Sequence, residues 1–78
     1  MPALTAELRR TYIDQMVRSY DAMPKWVQGS VIHAMRVPTN NPATGKPWMS
    51  FREMLEVASD ESILIIRQDI KDNGDLVD

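Results

Sequence analysis

Thr44-Gly45-Lys46 is the stretch of this chain that comes closest to a chemical motif, because a glycine-lysine pair in a loop can cradle phosphate. A phosphate loop needs a glycine at the start of its turn and a Ser or Thr after the lysine. Here Asn40 and Asn41 stand at the first place and Pro47 at the second, where it also removes an N–H that a phosphate would need. Asn41-Pro42 and Thr44-Gly45 are strong turn formers, so the segment reads as a turn. His33, the single histidine, has Ser30 one helical turn before it and no nearby acid to complete a general-base arrangement. One histidine and no cysteine also leave too few ligands for zinc. The run Asp69-Ile70-Lys71-Asp72-Asn73-Gly74-Asp75 resembles a calcium loop only superficially. With Gly74 in the turn position, Lys71 occupies a ligand place and no closing glutamate follows. Glu53 and Glu56 lack the Glu-x-x-His partner of a carboxylate metal site. The sequence therefore predicts a non-enzyme with no metal and no cofactor.

The elements that hold these residues are helices. Thr5 is an N-cap with Glu7 in the turn behind it, and Leu8, Tyr12, Met16 and Tyr20 recur every fourth residue with Ile13 and Val17 beside them. That predicts a helix over 5–22, with Arg9, Arg10, Asp14 and Arg18 on its outer face. Pro24 suits the first turn of a second helix, 24–36, whose apolar face is Trp26, Val27, Val31, Ala34 and Met35. Pro38 ends it, since the residue before proline is pushed away from the α region. Helices 1 and 2 are expected to form a hairpin. A long proline-rich loop, 37–49, then crosses to helix 3 over 50–59. Ser50 and Glu53 write a capping box there, flanked by a Met49/Met54 staple, and Phe51, Met54, Leu55 and Ala58 form the inward face. Ser59-Asp60-Glu61 opens helix 4, 60–72, on the spacing Ile63, Ile66, Arg67, Ile70. Strand is the alternative for Ile63-Leu64-Ile65-Ile66. Asn73-Gly74 supplies a left-handed stop, and an acidic tail is expected to hang loose after it. The fold class predicted is all-α, a compact bundle of four short helices in one domain, 1–78.

Composition narrows the function classes. At 78 residues and 44% hydrophobic content the chain is a small globular domain. Absence of cysteine rules out disulfides and points to a reducing cytoplasm, and neither a signal peptide nor a membrane span is expected. The net charge of −2 hides a polarity. Residues 1–52 carry seven Lys/Arg against three Asp/Glu, and residues 53–78 carry two against eight, balances of +4 and −6. Such halves can pack on each other or dock a partner or a second copy. Helices 3 and 4 read as helix-turn-helix would put Asp60 and Glu61 at the end that must approach phosphates, so nucleic acid is an unlikely partner through them.

What remains is protein recognition. Connections between packed helices rarely exceed about 8 residues, and longer ones tend to be functional or disordered. A small domain with an idle loop of this size, ending in Trp48, suggests a recognition element. Trp48, Lys46, Thr44 and Asn41 of the loop, together with Trp26, are the expected partner contacts. Trp48 has a second reading, as a lid folded onto the core. The six methionines fill an irregular core or an adaptable surface. The expected function is a protein-binding adaptor or inhibitor, of the kind mobile elements carry, that modulates a larger protein. A homodimer is also expected, because no covalent or metal staple supports so small a core. The rival is a small transcriptional regulator binding DNA through a basic face of helices 1 and 2, built from Arg9, Arg10, Arg18, Lys25 and Arg36.

The cap on helix 3 is directly testable. Ser50→Ala should destabilise the domain by about 1 kcal/mol, read as a lower urea midpoint.

Overall fold

A computed structural model describes residues 4–77, and over them the chain is four α-helices and one long loop. α1 spans Ala6–Ala22, α2 Lys25–Met35, α3 Phe51–Val57 and α4 Asp60–Asp72. Each start except that of α2 is set by a hydroxyl. The side-chain oxygens of Thr5, Ser50 and Ser59 accept from the backbone N–H of Leu8, Glu53 and Ser62 at 3.1, 3.2 and 3.1 Å. These bonds satisfy amides that the first helical turn leaves without partners. The run around Ile63 is helix, not strand. The helical period puts Ile63, Ile66 and Ile70 on one side, all buried. α4 then closes as a Schellman turn, with Gly74 at φ +79° donating to Lys71 O and Asp75 donating to Ile70 O, both at 3.0 Å.

The core is drawn from three helices and a joint. Ile13 and Met16 of α1, Met23 at the α1–α2 elbow, Phe51 and Leu55 of α3, and the three isoleucines of α4 form it. α1 packs on both α3 and α4, and the Tyr20 and Phe51 rings stack at 4.1 Å between centroids, 7° from parallel. Burial there, and then the neighbouring Asp21 carboxylate, hold the Tyr20 hydroxyl above its ordinary pKa. The molecule is flat, 33 × 32 × 18 Å.

Several placements differ from the sequence expectation. α1 and α2 do not make a packed hairpin, because α2 turns away and lies against α4. The cause is the extended pair Met23 and Pro24, at ψ 147° and 153°, which redirects the chain before α2 begins. Pro24 thus precedes the helix as its cap instead of sitting in its first turn. The Gln28 side chain fastens the elbow by donating to Tyr20 O at 2.7 Å. α2 itself has no buried residue. Val27, Val31, Ile32 and Met35 are half-buried against the core, while Ala34 is exposed and Trp26 is turned outward, 78% exposed. At its far end Arg36 takes the left-handed conformation, φ 54° and ψ 39°. Val37 must be extended ahead of Pro38, so the helix has to break off one residue sooner. The Met49/Met54 staple is not made, with Met49 87% exposed and only Met54 packed on the core.

The C-terminal segment is not loose as far as Val77, and Asp78 lies outside the described residues. Leu76 packs on the core, Val77 N–H donates to Ser19 Oγ at 2.9 Å, and Val77 O accepts from Gln15 Nε2 at 2.7 Å. Ser19 is fully buried and its own hydroxyl donates to Gln15 O at 2.8 Å, so its polar atom is matched as donor and as acceptor. Gln15 also accepts from Arg67 Nε at 2.9 Å, while the Arg67 guanidinium lies 4.3 Å from the centre of the Tyr12 ring.

Arg9 is likewise not a free outer residue. Its Nη1 pairs with Asp60 Oδ1 at 2.6 Å, and its Nη2 donates toward the carbonyls of Leu55, Glu56 and Ala58 at 3.1, 3.2 and 2.5 Å. Leu55 O also accepts from Ala58 N–H at 3.2 Å, while the Glu56 and Ala58 carbonyls lie past the end of the helix, where backbone donors run out. Asp60 Oδ2 in turn accepts from Leu4 N–H at 3.0 Å. One side chain of α1 thereby fixes the break between α3 and α4. Arg9→Met, which keeps the stem and removes the donors, should cost about 2 kcal/mol. Arg10→Met, at an exposed position without an ion pair among the described residues, should stay within about 0.5 kcal/mol. Urea unfolding of the two variants side by side makes the comparison.

Candidate functional site

The long loop is an ordered, self-bonded unit. Its ends meet in an isolated antiparallel bridge between Asn40 and Pro47. Asn41, 3% exposed, organises the interior. Its backbone N–H donates to Lys46 O at 2.8 Å, and its carbonyl accepts from Gly45 N–H at 2.8 Å and Thr44 N–H at 3.2 Å. Its side-chain oxygen accepts from Ala43 N–H at 2.9 Å, and its amide group donates to Glu53 Oε1 at 2.8 Å. Glu53 was expected to close a capping box on its own helix, and it is Asn41 that takes that carboxylate oxygen. The turn tip needs a positive φ, met by Gly45 at +70°. Asn41 is therefore an internal keystone of the loop rather than a residue displayed to a partner.

Trp48 is folded in as well. Its indole N–H donates to Pro38 O at 2.8 Å, and its half-buried ring lines a small cavity of about 190 Å³ with Met35, Pro42, Met54 and Ile66. Thr44 and Lys46 remain exposed at the tip.

The larger opening lies elsewhere. A groove of about 560 Å³ runs between α2 and α4. Val27, Ser30, Val31 and Ala34 form one wall and Ile65, Ile66, Asp69 and Ile70 the other, and Pro24 and Trp26 at the start of α2 complete the lining with Asn73 and Asp75 beyond α4. The wall residues of α2 sit at i, i+3, i+4 and i+7, one continuous helical face. Trp26 and Ile65, the latter 59% exposed, stand on either side. Two large apolar side chains thus stand exposed beside an apolar trough, an uncommon arrangement on the surface of a small domain. Of the five expected partner contacts the structure brings only Trp26 to this groove, while Trp48, Lys46, Thr44 and Asn41 belong to the loop. Ile65, Val31 and Asp69 were not anticipated. The signal for Ile65 was present, since the stripe Ile63, Ile66, Ile70 leaves it 100° to one side with nothing in the sequence to cover it.

The basic residues are dispersed by pairing. Arg9 is engaged as described, Arg52 pairs with Asp14 at 2.7 Å, and Arg67 faces Tyr12. A third hollow, about 380 Å³, collects Arg9, Arg10 and Arg52 but includes Asp14 and Glu56. His33 and Ser30 are both exposed, and among the described residues no three His, Cys, Asp or Glu side chains gather where they could hold a metal ion. None of the described helices is long and apolar enough to cross a membrane. No family model, curated protein or solved structure matches this chain.

The keystone role of Asn41 gives a pH-dependent test. Asn41→Ala should cost about 1–3 kcal/mol, because it strips bonds from a buried site. Asn41→Asp places a carboxylate against Glu53, and sharing a proton raises the folded-state pKa of that pair above its unfolded value. The extra penalty is then present at pH 7 and disappears as pH falls toward about 4. Stability of each variant relative to the parent, measured at both pH values, reads the difference.

Proposed function

We propose that this chain is a small non-catalytic binding module that modulates a larger protein, acting as an adaptor or inhibitor in the cytoplasm, with the α2–α4 groove as its docking surface. The observation that carries this reading is the pairing of Trp26 and Ile65 across an apolar trough built on a helix that buries none of its own residues. Tryptophan is enriched among residues that dominate binding energy, and a trough beside it supplies the packed surroundings such residues need. Support for a non-catalytic role comes from the lining. It holds two carboxylates and one serine hydroxyl but neither histidine nor lysine, so no acid, base and nucleophile converge there.

The same geometry weighs against the nucleic-acid alternative. A regulator binding through helices 1 and 2 needs a contiguous basic face. Arg9 is occupied by Asp60 and three carbonyls, and Asp14 and Glu56 interrupt the hollow around Arg10 and Arg52. The loop takes a supporting part in this reading. It offers Thr44 and Lys46 at its tip and is held shut by Asn41 and Trp48.

The test separates binding from folding. With the partner captured from the native host and identified by mass spectrometry, Trp26→Ala should weaken its binding by about 2 kcal/mol or more. The melting transition should stay within about 0.5 kcal/mol of the parent, since an exposed side chain contributes little to folding. Trp48→Ala should do the reverse, lowering stability by about 2 kcal/mol or more through lost packing. Full binding by a stable Trp26→Ala protein would overturn the reading.

A further inference from the structure

We infer that the occupant of the α2–α4 groove is a basic amphipathic helix of the partner, about three turns long, with apolar anchors on one face and Lys or Arg along its flanks. This rests on the reading of the groove as a docking surface and adds the chemistry of what docks.

The shape of the groove argues for a helix. The chain offers no strand among its described residues whose edge a peptide could extend, so strand addition has no template. Both walls are helical faces. From Pro24 to Ala34 the α2 wall spans about 15 Å at 1.5 Å per residue, the length of a ten-residue helix. The wall is low where Ser30, near its middle, and Ala34, at its end, present small side chains. A third helix can therefore seat its ridge between α2 and α4.

Charge selects the helix. Around α4, Glu61, Asp69 and Asp72 fall at i−4, i+4 and i+7 from Ile65, and all three are exposed. Asp75 continues the acidic rim at the end of the groove. The cations of the neighbourhood do not offset it. Lys71 lies on the side of α4 away from the groove and Arg67 is turned inward against Tyr12, which leaves Lys25 at the start of α2 and Arg36 at its C-cap, near Ser62 and Ile66, against these four carboxylates. On α2 the other ionisable group is His33, on the outer side. An acidic rim beside an apolar trough complements Lys- or Arg-flanked apolar anchors, and opposite charge also speeds their encounter. The same rim disfavours a second copy. Docked groove to groove about a two-fold axis that sets α4 against its own duplicate, two acidic rims would meet, at a cost from like charges.

The test uses the full chain and designed 18-residue peptides of leucine with lysine. One has leucine at helical spacing, one has the same composition scrambled, and one has glutamate in place of lysine. Binding is followed by amide chemical shifts, and sedimentation equilibrium reports the oligomeric state of the free protein. The patterned lysine peptide should bind at least about tenfold tighter than either other peptide, with shifts on α2 and on α4 around Ile65. Asp69→Asn together with Asp72→Asn should remove most of the preference over the glutamate peptide, and rising salt should do the same. Trp26→Ala should weaken all groove binding. Equal binding of the lysine and glutamate peptides in the groove overturns the basic-helix inference and leaves the groove as a docking site. A dimer that Trp26→Ala dissociates overturns it in favour of a second copy. No groove shifts with any peptide, together with native-partner binding that survives Trp26→Ala, overturns the inference and the docking reading alike.

Discussion

The guanidinium of Arg9 is the contact on which the arrangement of this domain turns. α3 is only 7 residues long, and α4 begins three residues after it ends. Two helices so close in sequence leave a set of carbonyls at the first one's end and a free choice of angle between them. Arg9 removes both problems, because its fork reaches the carbonyls of Leu55, Glu56 and Ala58 while its other nitrogen holds Asp60. Arginine suits this place since its donors are planar and fixed, so one side chain can bind two directions at once. With the break fixed, Leu55 and Ile63, each fully buried, face the same interior alongside Met16 of α1. A small core gains most from such pinning, because every buried residue has few alternatives to pack against.

A second constraint works on the opposite side. The loop between α2 and α3 is closed on itself through Asn41 and joined to α3 through Glu53. Asn41 acts through all four of its polar groups, so the loop behaves as a small folded unit with its backbone satisfied internally. Gln15 and Ser19 perform a similar service for the C-terminal segment on α1. In each case a neutral amide or hydroxyl, buried and fully bonded, joins pieces of chain distant in sequence.

How far these features were legible in the sequence follows from their range. Thr5, Ser50, Ser59 and Gly74 act within a few residues of themselves, and type and spacing sufficed to identify them. The isoleucine stripe of α4 was readable for the same reason, and its helical period outweighed the β-preference of Ile63 to Ile66. Arg9 and Gln15 act across 46 or more residues and Asn41 around a loop, and nothing local in their neighbourhoods announces a partner. Trp26 shows the limit of periodicity. Its spacing placed it with Val27 and Val31, yet a wide apolar stripe on a short helix exceeds what one neighbouring helix can cover, and the structure leaves the tryptophan edge outside. Of the five expected contact residues, Trp26 lines the groove, whereas the Trp48 indole is held within the loop by its hydrogen bond to Pro38, a partner ten residues away that neither tryptophan's local sequence announces.

The absence of any buried residue in α2 bears on how this protein breathes. Opening free energies vary across a structure, and segments with few buried contacts open first while the rest stays folded. α2 is tied down by half-buried Val27, Val31, Ile32 and Met35 and by Gln28, carries Gly29 in its middle, and runs into a left-handed Arg36. The interior formed by α1, α3 and α4 draws none of its fully buried residues from α2. The least protected helix is thus also one wall of the groove, and whatever settles there completes the missing half of its packing. Occupancy and local order then become a single equilibrium, in which a ligand is felt first as slower amide exchange along α2 and only afterwards as a higher melting temperature.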